Sequence, residues 1–280
     1  MGEKSDAEHV ETIEFFPNIQ DGRNLGLEST KKSAHLALTP ELLETLYLAT
    51  KAVQRPQQSF ANAGALGFMG FTIADCTFAM VLMGWGGATS VESVIGIFFF
   101  TGPLLLILAT ILEWVRGQFL SMMICGFFSV FWFSFGMLNL PSVGIAATYS
   151  PTGNAIEGAA SVGYNAGIAL YLVALGFTLL TFFIFTLRLN LVMVFIFGMA
   201  TVAVYILSAA YWMVSTGNYA MAGHLQKAGG AILFAVGLAG WYMTVVIMCV
   251  ETGWPIPPVG DLSKYWAKGN ASQANGADSA

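Results

Sequence analysis

The segment "FANAGALGFMGFTIADC", residues 60–76, opens a long apolar run and reads as the start of a membrane-crossing helix. Two features are foreign to a helix surrounded by lipid. Gly64, Gly67 and Gly70 recur every third residue, and Asp75 puts a carboxylic acid about halfway along the run. On a helix the glycines form a stripe drifting slowly round the axis. Such a stripe lets a neighbouring backbone come close, and it can also line a narrow path. A central Asp costs roughly 2.5–3.5 kcal/mol on insertion scales, which directs it toward the bundle interior or a water-filled cavity. Phe71 stands four residues before Asp75 and points the same way. Asp75 therefore reads either as a hydrogen-bonded brace, through Thr72 or a serine, or as a proton or substrate relay.

The rest of the composition agrees with a membrane protein. The 280 residues are 56% hydrophobic and 10% charged, too few charges to cover a soluble surface. Nine of the sixteen acids and six of the eleven bases precede residue 60. The first 38 residues are polar, lack an apolar signal core and read as a disordered cytosolic tail, so the first span is expected to drive insertion. Residues 39–58 read as an amphipathic interfacial helix: Thr39 can cap, Pro40 suits the first helical position, and Leu42, Leu46, Ala49 and Val53 form one apolar stripe.

Six apolar runs follow, at about 61–85, 92–113, 118–140, 164–187, 190–214 and 228–250, each near the length needed to cross the hydrocarbon. The expected class is thus all-α: a polytopic membrane protein with six transmembrane helices over 59–252 and a cytosolic tail over 253–280. Arg116 and Arg188 lie in the second-to-third and fourth-to-fifth connections, whereas the opposite side offers only Lys227. The positive-inside rule then places both termini in the cytosol.

Few residues carry recognisable chemistry. Glu113 and Arg116 make an i, i+3 pair at the cytosolic end of the second span, which reads as an interfacial ion pair. His224 and Lys227 precede the sixth span at the opposite mouth; they read as loop residues, with attraction of an anion as the alternative. The third span, "CGFFSVFWFSF", is aromatic, a pattern of packing or of a hydrophobic constriction. Cys76, Cys125 and Cys249 lie in apolar runs and read as small buried hydrophobes. No nucleophile–base pair, zinc motif or phosphate loop is visible. The expectation is a protein that is not an enzyme, needs no cofactor or metal and binds no nucleic acid.

Residues 62–71, "NAGALGFMGF", resemble the signature of the acetate uptake transporter family, which includes bacterial succinate–acetate permeases and fungal acetate- and ammonia-associated membrane proteins. That signature runs Asn-Pro-Ala-Pro-Leu-Gly-Leu, followed shortly by Gly-Phe. "ILEWVRGQF" (111–119), "AGGAILFAVGLAGWY" (228–242) and "PIPPVGD" (255–261) are similar to further family segments in the same order. The resemblance implies a hexamer of six-helix protomers in the plasma membrane, each with its own path for a small carboxylate such as acetate. It also implies constriction positions at Phe71, Phe128 and Ala200. The signature itself maps to Asn62, Ala63, Gly64, Ala65, Leu66, Gly67 and Phe68. Both prolines are replaced, by Ala63 and Ala65; Phe128 stands in place of a Tyr, Ala200 in place of a Leu, and Asp75 is outside the pattern. Thr72 and Ser129 are expected to add polar groups to the path.

The functional expectation is a permease or channel for acetate or similar small monocarboxylates, with or without a coupled proton. The alternatives are an ammonium or ammonia exporter, which would draw on Asp75, and a non-transporting membrane sensor or scaffold.

Overall fold

The computed structural model describes residues 60–263 and 265; the amphipathic helix expected at 39–58 and the two tail ends lie outside them. Six helices among the described residues are long and apolar enough to cross a bilayer. Helix α1 spans Gly64–Met83, α2 Thr101–Val115, α3 Phe119–Leu138, α5 Val162–Thr186, α6 Leu191–Ser215 and α7 Tyr219–Thr252; α4, Ala155–Ala159, is a single short turn in the long connection after α3.

Two expectations about these elements change. The second span is not one continuous α-helix: Glu92–Phe98 is a 3-10 segment, and α2 begins only at Thr101. Pro103 falls in the first turn of α2, where no intrahelical N–H is needed. The last helix begins at Tyr219, well before 228, so His224 and Lys227 are exposed helical residues and not loop residues. The physical reason is a cap: the Asn218 side chain accepts a hydrogen bond from the Met221 N–H at 3.2 Å, which starts the helix nine residues early.

The spanning helices pack in chain order, α1 on α2, α2 on α3, α5 on α6 and α6 on α7, and α7 returns to α1. The α7–α1 seam is close because glycines of α7 face α1. A Cβ on Gly230 would lie 2.9 Å from the Leu82 Cβ, and Gly237 and Gly240 meet Cys76 and Thr72 in the same way. Gly67 and Gly70 of the opening stripe turn instead to α2 and α3, meeting Ala109, Leu105 and Cys125. The remaining seam, α3 to α5, is filled by rings: Phe127 stands 5.8 Å from Phe182, and Phe131 6.3 Å from Tyr171. Leu104, Leu108, Ile111, Phe177 and Ile184 point outward and are exposed, as lipid-facing side chains are.

Both ends are tied down by polar contacts. The α2–α3 turn is three residues long and needs Gly117 at φ +72°. After α7 the chain doubles back over the α5–α6 turn: Leu191 N–H donates to the Gly260 carbonyl at 2.9 Å, Leu262 N–H to the Leu189 carbonyl at 3.0 Å, and the Tyr242 hydroxyl to the Pro258 carbonyl at 2.6 Å. In the α3–α5 connection Glu157 accepts from the Ser150 hydroxyl at 2.5 Å and the Thr152 hydroxyl at 2.7 Å. These two bonds favour the charged form and hold its carboxyl below the usual range.

Candidate functional site

Helical periodicity aims one stripe of each spanning helix at the axis of the bundle. On α1 the stripe is Phe71, Asp75, Phe78 and Leu82; on α3 it is Phe128, Phe131, Trp132 and Phe135; on α6 it includes Ala200, Val204 and Leu207. These steps of three, four and seven residues keep one face inward. They enclose a cavity of about 130 Å³ that reaches Ala222 and Gln226 at the start of α7. A second cavity, of about 390 Å³, lies toward the other end and is lined by Asn62, Glu113, Arg116, Met193 and Phe197 among others.

Phe71 and Phe128 are the residues that line both cavities. Their rings meet edge to face with centroids 5.0 Å apart, a favourable geometry worth about 0.5–1.5 kcal/mol beyond the area it buries. Phe128 also lies 6.3 Å from Phe197, and Phe197 5.6 Å from Phe182. The partition between the cavities is therefore aromatic. Ala200 lines only the Gln226-side cavity, while Phe197, almost one turn earlier on α6, lines the Arg116-side cavity. Phe197 is absent from the sequence reading, although a step of three from Ala200 leads to it.

The Arg116 end is a closed polar cluster. The guanidinium donates to the Glu113 carboxylate at 2.6 Å and to the Asn62 side-chain oxygen at 3.0 Å. The same Asn62 oxygen accepts from the Gly64 N–H at 2.9 Å, and the Asn62 N–H donates to Glu251 at 3.2 Å. One signature residue thus joins the start of α1 to the ends of α2 and α7. Glu113 is 2% exposed, whereas Arg116 stays within reach of water.

Asp75 is in the opposite condition. It is 3% exposed, it lines the Gln226-side cavity, and its Oδ2 is buried with no hydrogen-bond partner. On its other flank Gly237 of α7 packs close, with an added Cβ only 3.2 Å from that oxygen. The brace through Thr72 does not form. The Thr72 hydroxyl is itself unpartnered and turned to Gly240, and Ser129 donates to the Pro103 carbonyl of α2 at 3.3 Å. Thr72 and Ser129 therefore pack between helices and line neither cavity, and the exposed His224 and Lys227 line neither cavity as well. Tyr211 and Gln226, which the sequence reading did not single out, do line the Gln226-side cavity.

The model of the GPR1/FUN34/yaaH family matches residues 46–263. Protein alcS of Aspergillus fumigatus is 32% identical over 236 residues, 82% of this chain and 87% of that protein. The acetate transporter protein patA of Aspergillus clavatus is 32% identical over 217 residues, 78% of this chain and 85% of that protein. Among solved structures, that of the bacterial acetate channel SatP aligns with a TM-score of 0.55 at 20% identity, covering 72% of this chain and all (100%) of that one. At that identity the likeness speaks for the fold.

Proposed function

The chain belongs to the GPR1/FUN34/yaaH family, and from that premise we propose that it is a transmembrane permease or channel for acetate or a similar small monocarboxylate. One observation carries the reading: two cavities on the axis of a six-helix bundle abut at a single aromatic pair, Phe71 and Phe128. Removing a carboxylate from water is costly unless its oxygens find donors. A workable route therefore keeps polar groups at the ends and makes the dry neck short. Arg116 supplies a guanidinium at one end, Gln226 an amide at the other, and the neck is one ring pair thick.

In this reading Phe71 and Phe128 are the constriction, and the small Ala200 widens the route just beyond it. Asn62, Glu113 and Arg116 shape the cytosolic mouth, and the signature 62–68 fixes the start of α1 beside it. Both termini lie in the cytosol and the protein resides in the plasma membrane. The side of Arg116 and Arg188, rich in cationic groups beside that of Lys227, supports this orientation. Protomers assemble as a hexamer through the apolar outer faces of the bundle.

Labelled-acetate uptake by the purified protein in liposomes tests the reading. If the ring pair contributes about 1.4 kcal/mol to the barrier, Phe71→Ala raises flux about tenfold and admits longer carboxylates. Unchanged uptake and size selectivity in that variant would remove the neck from the pathway. No protein-dependent carboxylate flux in the wild type would refute the function.

A further inference from the structure

We propose that Asp75 is the proton-donating site of the Gln226-side cavity, handing its proton to a monocarboxylate before the cargo crosses the Phe71–Phe128 neck. The inference rests on the transport reading and assigns it a coupling group.

The argument begins with what surrounds the acid. Asp75 is almost fully buried and its Oδ2 is unpartnered, yet it lines a cavity whose other walls are mostly rings and aliphatic chains, with Tyr211, Trp132 and Gln226 as the other side chains bearing polar atoms. Among the described residues, no Lys, Arg or His lines that cavity. An ionised carboxylate so placed has no compensation and is strongly disfavoured. The neutral acid is the form such surroundings tolerate, and a neutral carboxyl has one O–H to donate. A second carboxylate is the complementary partner, because two carboxyl groups in contact share one proton more readily than they both ionise. The other titratable groups near Asp75 are few. Cys76 follows it on α1 with its sulfur packed toward Gly237 of α7, and Tyr211 of α6 lines the same cavity. The cavity linings from α3, α5 and α7 include no titratable side chain, and no residue of α2 lines it.

The transfer balances simply. As the Asp75 O–H bond breaks and a new O–H bond forms on the cargo oxygen, a hydronium ion entering past Gln226 protonates Asp75 again. Asp75–COOH, R–COO⁻ and hydronium thus become Asp75–COOH, R–COOH and water, and no lone carboxylate is left behind. The neutral acid passes between the rings without carrying a charge into them. The reverse sequence, with the proton returned to water on the Gln226 side as hydronium, serves movement the other way. Proton and carboxylate travel together, and no net charge crosses.

Acetate uptake is measured in liposomes holding the full chain, with empty liposomes subtracted and the membrane potential set by a potassium gradient and valinomycin. Wild-type flux should rise as pH falls, by about tenfold per unit over the steepest range, and ignore the potential. Asp75→Asn should lose the pH dependence, and its residual flux should follow the potential; Asp75→Thr carries the same expectation if the Asn variant does not fold, and Asp75→Glu should keep wild-type behaviour. Wild-type pH dependence in the Asn or Thr variant overturns the assignment. So does ammonium flux that depends on Asp75 while acetate flux keeps its pH dependence. Binding separates this inference from the transport reading: acetate should raise the unfolding temperature of the purified wild type more at pH 5 than at pH 7, and equally at both in Asp75→Asn. Absent flux with that binding pattern overturns transport alone; equal acetate stabilisation at both pH values in the wild type overturns the proton site.

Discussion

The two cavities contain one buried acid each, and the acids are held in opposite ways. Glu113 has a guanidinium at 2.6 Å, and that guanidinium is fixed in turn by Asn62. Asp75 faces aromatic rings, and its buried oxygen has no partner. A paired buried acid is part of the scaffold, since losing the partner strands a charge. An unpartnered one adds nothing to stability, and its cost is accepted where it serves function.

Substitutions sharpen this contrast. Arg116→Ala should be the most damaging, at about 3 kcal/mol, because Glu113 then remains buried without its cation; unfolding in detergent solution measures it. Gly237→Val should follow at about 2 kcal/mol, because the new side chain overpacks α7 against α1, and cross-linking across that seam would report the displacement. Asp75→Leu should go the other way and raise stability by about 1 kcal/mol, since it removes an unsatisfied buried polar group, while abolishing pH-dependent uptake. A destabilised Asp75→Leu protein would mean that the acid has a structural partner after all, and the contrast would collapse.

Glu157→Gln should have the smallest effect, confined to the α3–α5 connection. The Ser150 and Thr152 hydroxyls lower the Glu157 carboxyl in the folded protein. Its contribution is thus fully present above the ordinary carboxylate range and is lost as pH falls through the lowered folded value. Amide exchange over residues 150–160 should accelerate in acid in the wild type, and the variant should show the faster exchange already at neutral pH.

Much of the bundle was legible because hydrophobic length and helical period are local properties. The apolar runs located the spans, and the four-residue step from Phe71 to Asp75 gave their shared face. The break before Thr101 was not legible: a 3-10 segment and an α-helix of the same apolar composition have the same hydropathy. The early start of α7 was signalled by Asn218, but the polar stretch after it argued for a loop. Within the site, Glu113 and Arg116 were readable as an i, i+3 pair, whereas Asn62 joining them from 54 residues away was not.

The sequence by itself determined a six-span membrane protein, its aromatic third span and an acid that had to avoid lipid. Only the tertiary structure decided which polar group meets the cavity. Thr72 and Asp75 are three residues apart on α1, and Ser129 is next to Phe128 on α3, yet only Asp75 and Phe128 line the space. Helical period fixes the angles between side chains but not the rotation of the helix about its own axis. That rotation is set by the partners: Gly240 takes Thr72, Pro103 takes Ser129, and Asp75 is left facing the axis.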